Sequence, residues 1–283
     1  MRISLIDPKT KFYIVSGKGG VGKTSVSVAL ALMLKESGKE VVHVSFKTGA
    51  LKDDSYASQD GEKECQELGV THLSLDLEEC STTYMAKKLK STMIAHWIAK
   101  TPFFRSLVNM IPGFNYLIYL GKILEIIHAS NYETVVVLDA PSSGHALTML
   151  EATKNFQQIF KSGLVFEDTN QMLALLHQEQ FLNFVIVTIA TELALQESIE
   201  LKQGVEALGP YKVSLVTNNG LSYLSQEAYH AAPQFIQQKI DMEKRISQRF
   251  VHESLTAVHY SYQTSSTQLI KDIKLSLQSS SDL

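Results

Sequence analysis

Residues 17 to 24 read Gly-Lys-Gly-Gly-Val-Gly-Lys-Thr, and no other stretch restricts the chain as tightly. Glycine tolerates backbone angles closed to other residues, so a loop this rich in it can curl with several N–H groups pointing inward. The spacing G-x-x-x-x-G-K-[ST] is met by Gly17, Gly22, Lys23 and Thr24. Each position has a chemical reason. The inward amides of Gly17, Lys18, Gly19, Gly20, Val21 and Gly22 make a concavity of partial positive charge. The first turn of a following helix, Lys23, Thr24 and Ser25, adds to it. Lys23 is placed to reach the β- and γ-phosphates, and the Thr24 hydroxyl to ligate Mg²⁺. The pattern therefore predicts a cradle for ATP or ADP with Mg²⁺.

The flanks agree with that reading. Phe12 to Val15 is an apolar run that predicts a buried strand. Thr24 to Lys35 predicts a helix ended at Gly38, and Val41 to Ser45 a second strand. Strand, glycine loop, helix and strand in this order make a βαβ unit with parallel strands. Further strands are predicted at His72–Leu75, Thr134–Leu138, Phe184–Ala190, Val213–Thr217 and Ala257–Tyr262. Glu192–Leu208 and Gln226–Arg249 read as helices. The fold class is α/β, a mainly parallel sheet flanked by helices. Residues 1–283 read as one nucleotide-binding domain with a helical insertion at about 83–130.

Composition narrows the function. A net charge of −3 gives no basic footprint for nucleic acid. No apolar run is long enough to span a bilayer, and residues 1 to 10 lack the apolar core of a signal peptide. A cytoplasmic location is expected. The two cysteines, Cys65 and Cys80, form no CxxC pair and have no metal or disulfide spacing. They read as ordinary thiols in a reducing compartment.

Lys18 is not needed by an ordinary cradle, since Lys23 already serves the phosphates. It is either a solvated surface lysine or the extra cation of the deviant form K-G-G-x-G-K-[ST]. Together with the segments that follow, the chain resembles the ArsA family of ATPases, with arsenite-pump and tail-anchored-protein-targeting branches. Asp139-Ala-Pro-Ser-Ser-Gly-His145 resembles that family's second switch, D-[TA]-P-x-[ST]-G-H. Pro112-Gly113 with Leu120-Gly121-Lys122-Ile123 resembles the bacterial P-G…E-x-x-x-L-x-K pattern without its acidic residue, and Thr191 to Glu197 resembles P-E-x-x-x-x-E without the proline. Val216-Thr217-Asn218 matches a strand-terminal V-x-N.

The resemblance implies roles. Lys18 would reach across a dimer interface to the partner's nucleotide, and Lys18, Lys23 and Asp139 would form the catalytic set. Asp139 would hold Mg²⁺ with Thr24. His145 would relay nucleotide state, or serve as a structural histidine. Asn218 would read adenine, or form a turn before Asn219-Gly220.

One departure bears on chemistry. Where the family has a first switch S-T-D-P-A-H, this chain has Ser45-Phe46-Lys47-Thr48-Gly49-Ala50. Lys47 replaces the aspartate that would orient the attacking water, and a charged lysine accepts no proton. Asp53 and Asp54 lie nearby in sequence as substitutes, though at a long displacement for a role set within about 0.5 Å. The expected function is an ATP-binding dimeric switch that couples nucleotide state to a partner protein. The chain is expected to form a homodimer, or a heterodimer with a related ATPase that has an intact first switch; hydrolysis is slow or depends on that partner. The rivals are an anion or metalloid pump subunit, a Min/Par-type positioning ATPase, and a non-hydrolysing regulatory subunit. The insertion, with Met85, Met93, Trp97, Phe103, Phe104, Met110 and Phe114, is either a partner groove or core packing. Leu269, Ile270, Ile273 and Leu277 form one helical face, beside Lys271 and Lys274. That face either docks on the domain or lies on a membrane.

Overall fold

A computed structural model describes residues 5–47, 59–89, 101 and 113–279. Its centre is a seven-stranded sheet. The strands are β1 (Phe12–Gly17), β2 (Val41–Phe46), β3 (Thr71–Leu75), β4 (Val135–Asp139), β5 (Leu182–Ile189), β6 (Lys212–Gly220) and β7 (Leu255–His259). Their order across the sheet is β3-β2-β4-β1-β5-β6-β7, and every pairing is parallel. The fold is the α/β sheet expected from the βαβ unit. β1 and β4 are buried along their whole length. Their continuous apolar runs are what a sheet covered on both faces requires.

Side-chain alternation assigns the two faces. Tyr13, Val15, Val137, Val185 and Val187 point to one side, and there meet α1 (Lys23–Glu36), α2 (Gln59–Glu67) and α10 (Ser266–Ser279). Phe12, Ile14, Val136, Leu138, Phe184 and Ile186 point to the other. That side is covered by α4 (Phe114–Ala129), α5 (Ser143–Ile159), α6 (Leu164–Leu176) and α7 (Glu192–Leu208). α3 (Leu77–Leu89) packs beside α4.

Several sequence expectations need correction. Gln226–Arg249 is two helices, α8 (Gln226–Ala231) and α9 (Gln234–Arg249). The break is at Pro233, whose ring forces Ala232 into an extended conformation (φ −74°, ψ 149°). α5 and α6 had no counterpart in the sequence reading. One part of the expected insertion, α4, packs on the sheet: Tyr119, Leu120, Ile123 and Ile127 are fully buried in the core below β2 and β4. Phe114 packs on Phe156, with ring centroids 5.6 Å apart. Met93, Trp97, Phe103, Phe104 and Met110 lie outside the described residues, so the groove reading concerns a part of the chain the structure does not reach. At the other end, Ile270, Ile273 and Leu277 are buried against α1. Lys274 donates to the Glu36 carboxylate at 2.7 Å. The last helix is docked on the domain.

Candidate functional site

The glycine loop follows β1 and enters α1 at Lys23. Gly17 has φ +148°, and a Cβ there would stand 2.1 Å from the Val187 carbonyl oxygen of β5. Only glycine lets β1 and β5 run this close at the mouth of the loop. Gly22, the residue before α1, has φ +90°. Lys18, Gly19 and Gly20 form the exposed rim, and Val21 is buried beneath it. Ser25 sits in the first turn of α1, half-buried. The loop thus delivers the helix N-terminus and the Lys23 ammonium to one open face, which is how a chain binds phosphate oxygens.

Two strand ends close the site. Asp139 is the last residue of β4, and its Oδ2 accepts from the Thr24 hydroxyl at 2.7 Å. The carboxylate is 9% exposed. Burial pushes its pKa up to about 6, against the lowering effects of the Thr24 hydrogen bond and the Lys23 charge. Its second oxygen, Oδ1, is buried with no hydrogen-bond partner. A buried carboxylate oxygen without a donor is energetically expensive, and a cation answers it. With the Thr24 hydroxyl alongside, this is a donor set of hard oxygens that fits Mg²⁺.

Asn218 comes from β6. Its Nδ2 donates to the Val21 carbonyl at 2.9 Å, and its Oδ1 accepts from the Asn219 backbone at 2.9 Å. The side chain therefore braces the loop from below. Asn219 next to it has φ +59°, and the β6–β7 register shifts between Thr217 and Gly220.

The charged groups on the rim have partners that sequence reasoning missed. Lys18 Nζ is 2.9 Å from Glu197 Oε1 on α7, within the same chain. Lys23 Nζ donates to the Lys18 carbonyl at 3.2 Å. Lys47 Nζ lies 3.6 Å from Asp76, the residue whose Oδ1 caps α3 by accepting from Glu78 and Glu79. Its charge is thus turned toward the start of α3. Thr48, Gly49, Ala50, Asp53 and Asp54 lie outside the described residues. His145, in the first turn of α5, is hydrogen-bonded through Nδ1 to the Tyr116 hydroxyl of α4. The Thr191–Glu197 segment had pointed to α7, but no local pattern pairs Glu197 with Lys18, or Tyr116 with His145. Those contacts arise from strand order and helix rotation.

The two cysteines are on opposite faces of the sheet, Cys65 with α1 and α10 and Cys80 with α4. Both are buried, and burial pushes their thiols up to about 12 and about 11. They do not form a common site.

Known proteins place this arrangement. Residues 10–178 match the family profile described as anion-transporting ATPase, which covers more than half of the chain. The chain is similar to the ATPase GET3 of Malassezia globosa, with 27% identity over 60% of this chain and 53% of that one. It is similar to the ATPase BagA of Mycobacterium tuberculosis, with 26% identity over 67% of this chain and 59% of that one. A putative arsenical pump-driving ATPase of Aquifex aeolicus shares 28% identity over 51% of this chain and 50% of the relative. The chain thus spans about half the length of the curated relatives it matches. The profile ends before Thr191–Glu197 and Asn218, so those segments do not contribute to the match. No helix among the described residues is long and apolar enough to cross a membrane. With the cradle, the Thr24–Asp139 pair and the parallel sheet all in place, the chain belongs to the anion-transporting ATPase family.

Proposed function

We propose that this chain is a nucleotide-operated switch. It binds ATP or ADP with Mg²⁺ on the Gly17–Thr24 loop and signals occupancy through Asp139 and His145 to a protein partner. The observation that carries this reading is the Thr24–Asp139 pair with its orphaned, buried Oδ1. Thr24 and Asp139 would hold the Mg²⁺, which supplies positive charge against the β- and γ-phosphates. The chain's own residues do the rest. Loop amides and the α1 N-terminus bind the phosphates. Lys23 leaves the Lys18 carbonyl for a phosphate oxygen. Asp139 stands at the start of the segment that ends in His145, and His145 holds Tyr116 on α4. A shift of Asp139 therefore moves contacts on α4, and a partner that binds α4 would sense it.

Dimerisation belongs to the same proposal. The Lys18–Glu197 pair has side chains 58% and 41% exposed, and exposed pairs are worth about 0–1 kcal/mol. Lys18 is thus free to exchange Glu197 for the phosphates of a second subunit at little cost. Asn218 reads adenine in this scheme only by giving up Val21. Lys47 supplies no base for water, so turnover is slow or needs a mate with an intact first switch. The separation of Cys65 from Cys80 across the sheet weighs against a metalloid pump subunit, and the docked α10 weighs against a membrane-positioning ATPase.

The test is nucleotide affinity and turnover of the purified chain with Mg²⁺, beside Lys23→Ala and Lys47→Asp. Binding lost in Lys23→Ala, and turnover low in wild type but raised in Lys47→Asp, support the proposal. Absence of nucleotide binding by the wild-type chain sinks it.

A further inference from the structure

A second cluster of ligating side chains lies on the α1 face, at the β2–β3 edge of the sheet. His43 of β2 and His72 of β3 are register partners, and their rings stack with centroids 5.2 Å apart. Their Nδ1 atoms face each other at 3.0 Å. Cys65 comes from α2, which packs on α1, and one ligand atom from each of the three residues lies within 4.8 Å of the others.

Hydrogen-bond accounting fixes the protons. The Ser27 hydroxyl donates to the Thr24 carbonyl at 2.8 Å, so it accepts from His43 Nε2–H at 2.9 Å. His43 Nδ1 is then a bare lone pair, filled by His72 Nδ1–H, while the Ser45 hydroxyl donates to His72 Nε2 at 3.3 Å. One proton sits between two imidazole nitrogens with a thiol beside them. His43 is fully buried, and burial holds its pKa down at about 3, with His72 lowered for the same reason. Both rings are neutral, as metal ligation requires. Beside Cys65, Glu64 is 8% exposed and its Oε2 is buried without a partner.

We propose that His43, Cys65 and His72 form a binding site for a divalent cation of the zinc class. Two imidazoles and a thiolate select such an ion over Mg²⁺ or Ca²⁺, which take oxygen ligands. Zinc sits about 2.0 Å from nitrogen and about 2.3 Å from sulfur. A tetrahedral site therefore spaces its nitrogens about 3.3 Å apart, close to the separation already present. Binding releases one proton, from the Cys65 thiol, which becomes the thiolate ligand. The His72 proton moves from Nδ1 to Nε2, where Ser45 Oγ accepts it. The thiolate meets one of the ion's two charges, and the Glu64 carboxylate, which acts on Cys65 through its charge, tempers the other. His72 is half-buried on the edge strand β3, and the three side chains fill three of the four positions of a tetrahedral ion.

The site touches the phosphate loop at two points. Ser27 links His43 to the Thr24 carbonyl, and a Cβ on Gly61 of α2 would lie 2.9 Å from the Thr24 methyl. Occupancy pins α2 against the helix turn that carries Thr24.

The experiment is titration of the purified, EDTA-treated chain with Co²⁺ and then Zn²⁺, without nucleotide. One equivalent of Co²⁺ should produce tetrahedral d–d bands and a thiolate-to-cobalt charge-transfer band, both removed by one equivalent of Zn²⁺. Cys65→Ser should abolish the charge-transfer band. Cys65→Ser and His72→Asn should each weaken Zn²⁺ binding about tenfold or more, and Cys80→Ser should change nothing. Circular dichroism checks each fold, and His72→Asn, at a half-exposed edge position, carries the test if Cys65→Ser does not fold. No stoichiometric binding by the wild-type chain overturns the proposal. So does binding that a folded Cys65→Ser or His72→Asn variant leaves within twofold of wild type.

Discussion

Gly17→Ala tests how the loop is anchored. The added Cβ would stand 2.1 Å from the Val187 carbonyl oxygen, 3.1 Å from its carbon and 3.3 Å from Val21 Cγ2. Even a close carbon–oxygen contact needs about 3.3 Å, so the backbones must part by about 1 Å. The obstacle is main chain, which no rotamer change relieves. Gly17 and Val187 are also the last register partners of β1 and β5, so parting them opens the sheet where the loop begins. Overpacking of this kind costs about 1–3 kcal/mol. Holding alanine at φ +148° adds about 1–3 kcal/mol. A loss of about 2–6 kcal/mol is expected, a large part of the roughly 5–15 kcal/mol that holds a domain folded. The control is Gly19→Ala, two residues along. Nothing lies within 4 Å of a Cβ there and its φ is not positive, so the cost should stay below about 1 kcal/mol. Urea unfolding followed by circular dichroism reads both. The midpoint of Gly17→Ala should fall well below that of Gly19→Ala with the slope unchanged. Equal midpoints would refute the claim that β5 sets the identity of residue 17.

Other perturbations separate the roles of neighbouring residues. Asp139 has its carboxyl pKa raised to about 6 from 3.8 by burial, so its stabilising contribution is complete below about pH 4 and is lost as pH rises through 6. In EDTA, Asp139→Asn should therefore gain on wild type by about 3 kcal/mol between pH 4 and pH 7, and a gap that narrows over that range reverses the assignment. Tyr116→Phe removes the hydrogen bond to His145 and should cost about 1 kcal/mol in thermal unfolding. Nucleotide affinity should shift as well, since a contact that responds to the nucleotide acts back on its binding by the same factor. On α10, Ile273→Asp places a charge at a site 3% exposed, and Leu275→Asp at one 58% exposed. The first should lower the melting temperature by several degrees and the second hardly at all. Equal effects would mean that the helix is not docked on α1.

Local chemistry was legible in the sequence, and long-range partnership was not. The cradle could be read because its requirements lie within eight consecutive residues, each with its own reason. Buried strands could be read because a sheet covered on both faces demands unbroken apolar runs, and β4 ends on Asp139 for the same reason. Even the pairing of Asp139 with Thr24 was implied, since parallel order brings strand ends and loops to one edge of the sheet. α5 was missed because it opens on Ser143-Gly144, which reads as a turn.

Contacts set by register and helix rotation are harder to read. His43 and His72 stand 29 residues apart, each alone among apolar or polar neighbours, and a lone histidine in a strand suggests nothing. They meet because β2 and β3 pair in one register; a shift of one residue would send one of them to the opposite face. Cys65 joins them only because α2 crosses that edge, with Gly61 leaving room for α2 to lie on Thr24. The same logic gives Lys18 its Glu197 and Lys47 its Asp76. In a parallel sheet the strand ends gather one site by topology, while a second site on a sheet face depends on register alone. That is why a motif announced the first, and only coordinates could assemble the second.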